Sequence, residues 1–249
     1  MPLRLLCITA HPDDESGGFG GALLLANRDG VDTNILCLTD GQAAHYRGGV
    51  EDSAELGRQR RAELAAAAEL LGVAHVEVLH YPDGELLHQD FYKVTSDIVA
   101  RIRTLRPQVV LTFGGDGSVN LHRDHTIVSA ASTAAFHWAG RSEFFPEHGL
   151  APYAPQKLYY SSPPFVTVRG RPELSGSPTV PWSLALALTE LADRKWEAFA
   201  RHSSQAGVLE RARNIIEEHR TVERYLLVAA RGHINVKDDA GMFADVIAD

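Results

Sequence analysis

The chain has 249 residues, 45% of them hydrophobic, and a formal net charge of -8. That length supports one large α/β domain with a real core, and the acidic balance argues against nucleic acid or an anionic membrane surface as partner. Two cysteines, Cys7 and Cys37, both inside apolar runs, leave no disulfide framework and no Cys-rich zinc module.

The start, MPLRLLCITA, has one basic residue and meets acids too soon for a signal peptide, and no later stretch reaches about 18 apolar residues. A cytoplasmic protein without a membrane span is therefore expected. Residues 3–9 (LRLLCIT) and 33–39 (TNILCLT) are compact apolar runs of the kind strands take when both faces are covered, and GALLLANR between them reads as a helix. The alternation continues with a helix over 53–71, a strand near 75–80, a helix near 90–105 and a strand at 108–113 (QVVLTF). Such a pattern implies a mostly parallel sheet with helices on both faces. After a helix starting near His122 come KLYYSS at 157–162, a Pro- and Gly-rich stretch from Pro163 to Pro181, helices within 183–220 and a late strand RYLLVAA. The Pro/Gly stretch reads as a surface loop, because the residues beyond it are too few for a second domain. A single domain over 1–249 is the expectation, with no internal repeat.

In open parallel sheets, ligands bind beyond the carboxyl ends of the strands. ITAHPDDESGGFGG (8–21), TDG (39–41), YPDG (81–84) and the loop 114–122 come after successive strands and so share one rim. In the first of these, His11 and Asp14 are three apart across a turn stiffened by Pro12. Both can converge on one point while Asp13 projects from another side, which suits two metal ligands and one free carboxylate. The alternative is that Asp13, Asp14 and Glu15 cap a helix starting near Gly17. One acid suffices for a cap, and that alternative leaves His11 and two mutually repelling carboxylates unexplained.

The second cluster is NLHRDHT, 120–126, at a helix start. His122 and His125 are three apart and hence neighbours on one face; alone, the pair suits a metal site and a chance surface pair equally. Taken with the first cluster on the same rim, two His and one carboxylate with an open position form a catalytic zinc layout. Arg60 sits on the apolar stripe of the 53–71 helix near the rim, where it would meet either substrate or Glu63 at i+3. Asp83 is a turn residue by composition and a site residue by position. GGFGG (17–21) lacks the spacing and the Lys of a phosphate loop; its glycines are expected to let the helix approach the sheet.

AHPDDE followed about 110 residues later by HRDH resembles the zinc-dependent de-N-acetylases called LmbE-like or PIG-L-like. LTDGQ, RRAELAAAAELLGV, YPDGEL and RHSSQ (201–205) look like family segments too, so the resemblance runs over most of the chain. It implies a Rossmann-like sheet and hydrolysis of an N-acetyl group on an amino sugar, usually a glucosamine derivative, with mycothiol, bacillithiol, glycolipid, antibiotic and chitin-oligomer substrates among the family. Carried over by position, His11, Asp14 and His125 match the metal ligands and Asp13 the general base. His122 matches the residue that stabilises the tetrahedral intermediate and helps the amine leave, with Asp124 as its orienting acid. Arg60 and Asp83 match positions that contact or organise the sugar. Some members place a Tyr two residues before the HxDH motif; here that position is Asn120. The resemblance also implies frequent multimers, and the apolar run 182–199 suits either a core or an interface.

Such a site is expected to act as an amidase, with Asp13 taking a proton from a metal-activated water. A metal-dependent esterase or phosphoesterase on the same rim is the alternative, although phosphoester chemistry usually shows more carboxylates for a second metal. A non-catalytic sugar- or metal-binding protein on this fold is the third.

Overall fold

The computed structural model describes residues 2–117, 121–161, 182–232 and 241–248; Asn120 and the Pro163 to Pro181 stretch lie outside them. The chain order is β1 (Arg4–Thr9), α1 (Asp14–Arg28), β2 (Asp32–Thr39), α2 (Ser53–Leu71), β3 (His75–Tyr81), α3 (Phe91–Leu105), β4 (Val109–Thr112), α4 (Arg123–Trp138), β5 (Lys157–Ser161), β6 (Leu184–Ala187), α5 (Ala192–Ala200), α6 (Ala206–His219) and β7 (Val222–Ala230).

Among the described residues the strands form one seven-stranded sheet in the order β3-β2-β1-β4-β5-β7-β6. The first five run parallel, and β7 pairs antiparallel with both β5 and β6. From β1 the chain moves outward to β2 and β3 on one side, then returns to place β4 on the other. The switch point therefore lies between β1 and β4, where open α/β sheets bind ligands. In β1, Leu5, Leu6, Cys7 and Ile8 are all fully buried, as a strand covered on both faces must be. Cys7 and Cys37 are buried free thiols.

The ends of α2 follow its cap residues. The Asp52 side chain accepts the Glu55 N–H at the start of α2, and Gly72, with φ 73°, closes its other end. Two expectations need correction. Helix α1 starts at Asp14, three residues before Gly17, because the Gly17 N–H already bonds the Asp13 carbonyl at 2.9 Å. Part of the segment read as helix from 183 onward is the strand β6, whose Leu184 and Leu186 alternate with alanines, a period of two, against β7.

The glycines of α1 serve close approach, as expected, though the neighbours come from the end of the chain. A Cβ at Gly21 would collide with Leu188 and lie 2.8 Å from Glu223 Cδ. Glu223 of β7 accepts the Gly21 and Ala22 N–H groups at 2.7 and 2.9 Å. The last strand thus locks the middle of the helix whose first turn carries the acids.

Candidate active site

The residues after β1 turn sharply through Pro12 into α1, and Asp13 takes φ 121°, ψ -27°. A side chain rarely occupies that region, and holding one there costs of order 1–3 kcal/mol. Asp13 is held on several sides. Its N–H donates to Glu15 Oε2 at 2.9 Å, its carbonyl accepts from Gly17, and Arg60 Nη2 donates to its Oδ2 at 3.1 Å. The Arg60 guanidinium also bonds the Pro12 carbonyl and donates to Gly41 O at 3.0 Å.

Asp14 points elsewhere. Its Oδ2 accepts the Ala10 and His11 N–H groups at 3.2 and 2.8 Å, while Oδ1 lies 3.1 Å from His125 Nε2. His125 Nε2 is 3.3 Å from His11 Nδ1, which is 3.5 Å from Asp14 Oδ2. Donors around a tetrahedral zinc, at about 2.0–2.1 Å each, stand roughly 3.3 Å apart. His11, Asp14 and His125 therefore fit a metal, and all three are at most 8% exposed.

The second nitrogen of each ring supports this assignment. His125 Nδ1 sits 3.0 Å from Gly117 O, so it donates there and leaves Nε2 as a lone pair. His11 Nε2 sits 3.0 Å from Asp83 Oδ1 and 3.2 Å from Asp124 Oδ2, which leaves Nδ1 as its lone pair. Metal-ligating histidines are oriented in this way by carboxylates and carbonyls.

Two other groups bring ligand atoms within 4.8 Å of one another, His11 with His122 and His125, and His11 with Asp83 and Asp124. In the second, the acids are better explained as acceptors. Asp124 also accepts from Gly84 at 2.7 Å and Leu86 at 3.2 Å, and Asp83 Oδ2 from Ala43 at 2.9 Å. In the first, His122 is the N-cap of α4, and its Nδ1 accepts the Asp124 N–H at 3.2 Å. A neutral His122 with that acceptor carries its proton on Nε2. Its ring lies 4.7 Å from that of His11 and 5.3 Å from that of His125.

The charges sort by environment. Burial, reinforced by Asp14 and opposed by Arg60, pushes the Asp13 carboxyl up to about 6. Burial also raises Asp14, but His125 and His11 outweigh it and hold this carboxyl well below the usual range. Burial disfavours a charged His11 ring, yet its hydrogen bonds to Asp124, Asp14 and Asp83 raise it well above the ordinary histidine, and a metal held at Nδ1 would take the place of the second proton. Burial, with His11 and His125 alongside, lowers His122 and favours its neutral form. Two adjacent acids thus diverge, one toward a proton acceptor near neutrality and the other toward a permanent anion.

The structure brings together His11, Asp13, Asp14, Arg60, Asp83, His122, Asp124 and His125; Asn120 lies outside the described residues. Some partners differ from those expected. Arg60 is 2% exposed and turns to Asp13. Glu63, its expected alternative partner, instead accepts from Gln59, Ser203 and Ser204. The Asp124 carboxylate faces His11, and Asp124 meets the His122 ring through its backbone N–H. Glu15 sits in the first turn of α1, but its carboxylate pairs with His202 at 2.7 Å, a contact spanning 187 positions. RHSSQ was its sole trace in the sequence.

Residues 6–136 match the PIG-L family profile, described as GlcNAc-PI de-N-acetylase. A 1D-myo-inositol 2-acetamido-2-deoxy-alpha-D-glucopyranoside deacetylase of Rhodococcus jostii is 30% identical over 243 aligned positions, covering 82% of each chain. Among solved structures, the N,N'-diacetylchitobiose deacetylase of Pyrococcus horikoshii superposes with TM-score 0.73 at 24% identity, over 90% of this chain and 83% of that one. GalB of Pseudomonas putida KT2440, a 4-carboxy-2-hydroxymuconate hydratase, superposes with TM-score 0.72 at 21% identity, over 94% and 99%. One fold therefore carries both an amide hydrolase and a hydratase, and the reaction must be argued from the site.

Proposed function

The chain belongs to the PIG-L family of de-N-acetylases, and on that premise we propose that it hydrolyses the acetamide of an N-acetylated amino sugar, an N-acetylglucosamine derivative, releasing acetate and the free amine. One observation carries this reading. The lone pairs of His11, Asp14 and His125 converge at 3.1–3.5 Å while the neighbouring Asp13 is held apart by Arg60. Zinc is the metal this His₂Asp set suits, and, bound there, it supplies Lewis acidity toward the acetyl carbonyl and toward water.

The chain's own groups do the rest. Asp13, whose carboxyl burial raises above the ordinary range, accepts a proton from the attacking water as the C–O bond forms. Neutral His122, with its proton on Nε2, donates toward the oxygen that gains charge. As the C–N bond breaks, Asp13 returns its proton to the leaving amine. Arg60 keeps Asp13 directed throughout, and Asp83 and Asp124 keep the His11 ring turned. Arg60, Asp83 and Asn120 are proposed as the residues that serve the sugar, Arg60 and Asp83 by organising its site.

The test combines metal content with product. Asp13→Asn is expected to keep its zinc and lose acetate release by about 10²–10⁴-fold, the usual worth of a general base. Full activity in that variant would remove Asp13 from the role. Release of phosphate, or of alcohol from an ester, in preference to acetate from an amide would favour the esterase or phosphoesterase alternative.

A further inference from the structure

The short segment 202–205, between α5 and α6, grips three parts of the site's frame. His202 Nε2 meets Glu15 Oε1 at 2.7 Å in the first turn of α1, and both side chains are fully buried. The Ser203 and Ser204 hydroxyls donate to Glu63 of α2 at 2.7 and 2.6 Å, and the Ser204 N–H joins them at 2.9 Å. Gln205 Nε2 donates to Tyr46 O at 2.9 Å, on the loop after β2. Glu63 lies three residues beyond Arg60, on the helix that delivers the guanidinium to Asp13.

Glu15 divides its two oxygens. Oε1 takes His202 and the Ser16 hydroxyl, while Oε2 takes the Asp13 N–H. That last bond restrains the backbone of a residue at φ 121°. Buried ion pairs add little net stability compared with apolar packing, so a pair closed across 187 positions beside the base is better explained by orientation.

We propose that His202 is a positioning residue: acting through Glu15, it holds the Asp13 backbone in the conformation that aims the carboxylate. The segment 202–205 then controls the chemical step from outside residues 6–136, the part that matches the family profile. This rests on Asp13 being the general base.

The test compares His202→Leu, which cannot donate to Glu15, with His202→Gln, whose amide still can. In the zinc-loaded Leu variant, kcat is expected to fall at least tenfold with KM within twofold and zinc per chain unchanged. The Asp13 amide, followed by NMR, is expected to exchange at least tenfold faster, and the Gln variant to recover most of both losses. Should the Leu variant not fold, His202→Asn, whose amide falls short of Glu15, takes its place with the same expectations. Unchanged Asp13 exchange, kcat within twofold of the parent, or equal losses in the Leu and Gln variants would overturn the proposal. If the parent protein releases no acetate from any N-acetyl sugar, the deacetylase reading fails, while amide exchange still decides the positioning role.

Discussion

Asp13 and Asp14 are adjacent and identical in chemistry, and the backbone separates their work. At φ 121° Asp13 turns its carboxylate to Arg60, while Asp14 enters the helix and faces His125. An acid raised to about 6 must lose its proton to act as a base, so kcat/KM is expected to rise with pH along an acid limb. A bound cation favours the carboxylate and moves that limb to pH 6 or below. Asp13→Asn should abolish the limb in a pH–rate profile; a limb unchanged in that variant would assign it to another group. His125→Ala removes one of three donors and should lose the metal, read by elemental analysis of the purified protein. His11, Asp13, Asp14 and the HxxH pair were legible at this scale because their spacing is local. Asp83, in the turn after β3, and Asp124, in the first turn of α4, were marked as site residues, but that both turn to His11 was not legible, since no i+3 or i+4 rule links positions so far apart.

At the scale of elements, the helices and parallel strands followed from apolar runs, caps and alternation, whereas β6 was missed because four residues on a sheet edge carry little periodic signal. The join between α1 and the end of the chain was equally hidden, since the glycines of α1 announce close approach without saying to what. Gly21→Ala must push Leu188 or Glu223 aside, and overpacking of this kind costs about 1–3 kcal/mol; urea denaturation should show it as a lower midpoint. The Glu15–His202 pair gives a second prediction. Burial opposes both charges, but His202 still holds the Glu15 carboxyl below the ordinary 4.5, and Glu15 raises the His202 ring above the ordinary 6.5. The glutamate's contribution is present above 4.5 and fades as pH falls through its depressed value. The histidine's is present below 6.5 and fades as pH rises through its raised value. The thermal midpoint lost on His202→Gln should therefore be largest between pH 4.5 and 6.5 and smaller on the alkaline side. A loss independent of pH would contradict an ionised pair.

For the molecule as a whole, the order β3-β2-β1-β4-β5-β7-β6 places the loops after β1, β2, β3 and β4 along one rim, with β1 and β4 flanking the switch point. That rim was predictable, because parallel strands must present their carboxyl ends together. The antiparallel β7 and β6, which bring Glu223 to α1, were not, since a late apolar run does not state its direction. No helix among the described residues is long and apolar enough to cross a membrane. The fold is shared with a hydratase, so the central claim rests on the chemistry at the rim and on family membership together.

The most direct test of that claim is to incubate the zinc-loaded protein with a panel of N-acetylglucosamine conjugates differing in aglycone and to quantify acetate and free amine together. Equimolar acetate and amine are expected from at least one conjugate, with both products about 10²–10⁴-fold lower from Asp13→Asn holding the same zinc. No acetate from any conjugate by the zinc-loaded protein, or undiminished release by Asp13→Asn, would contradict the claim.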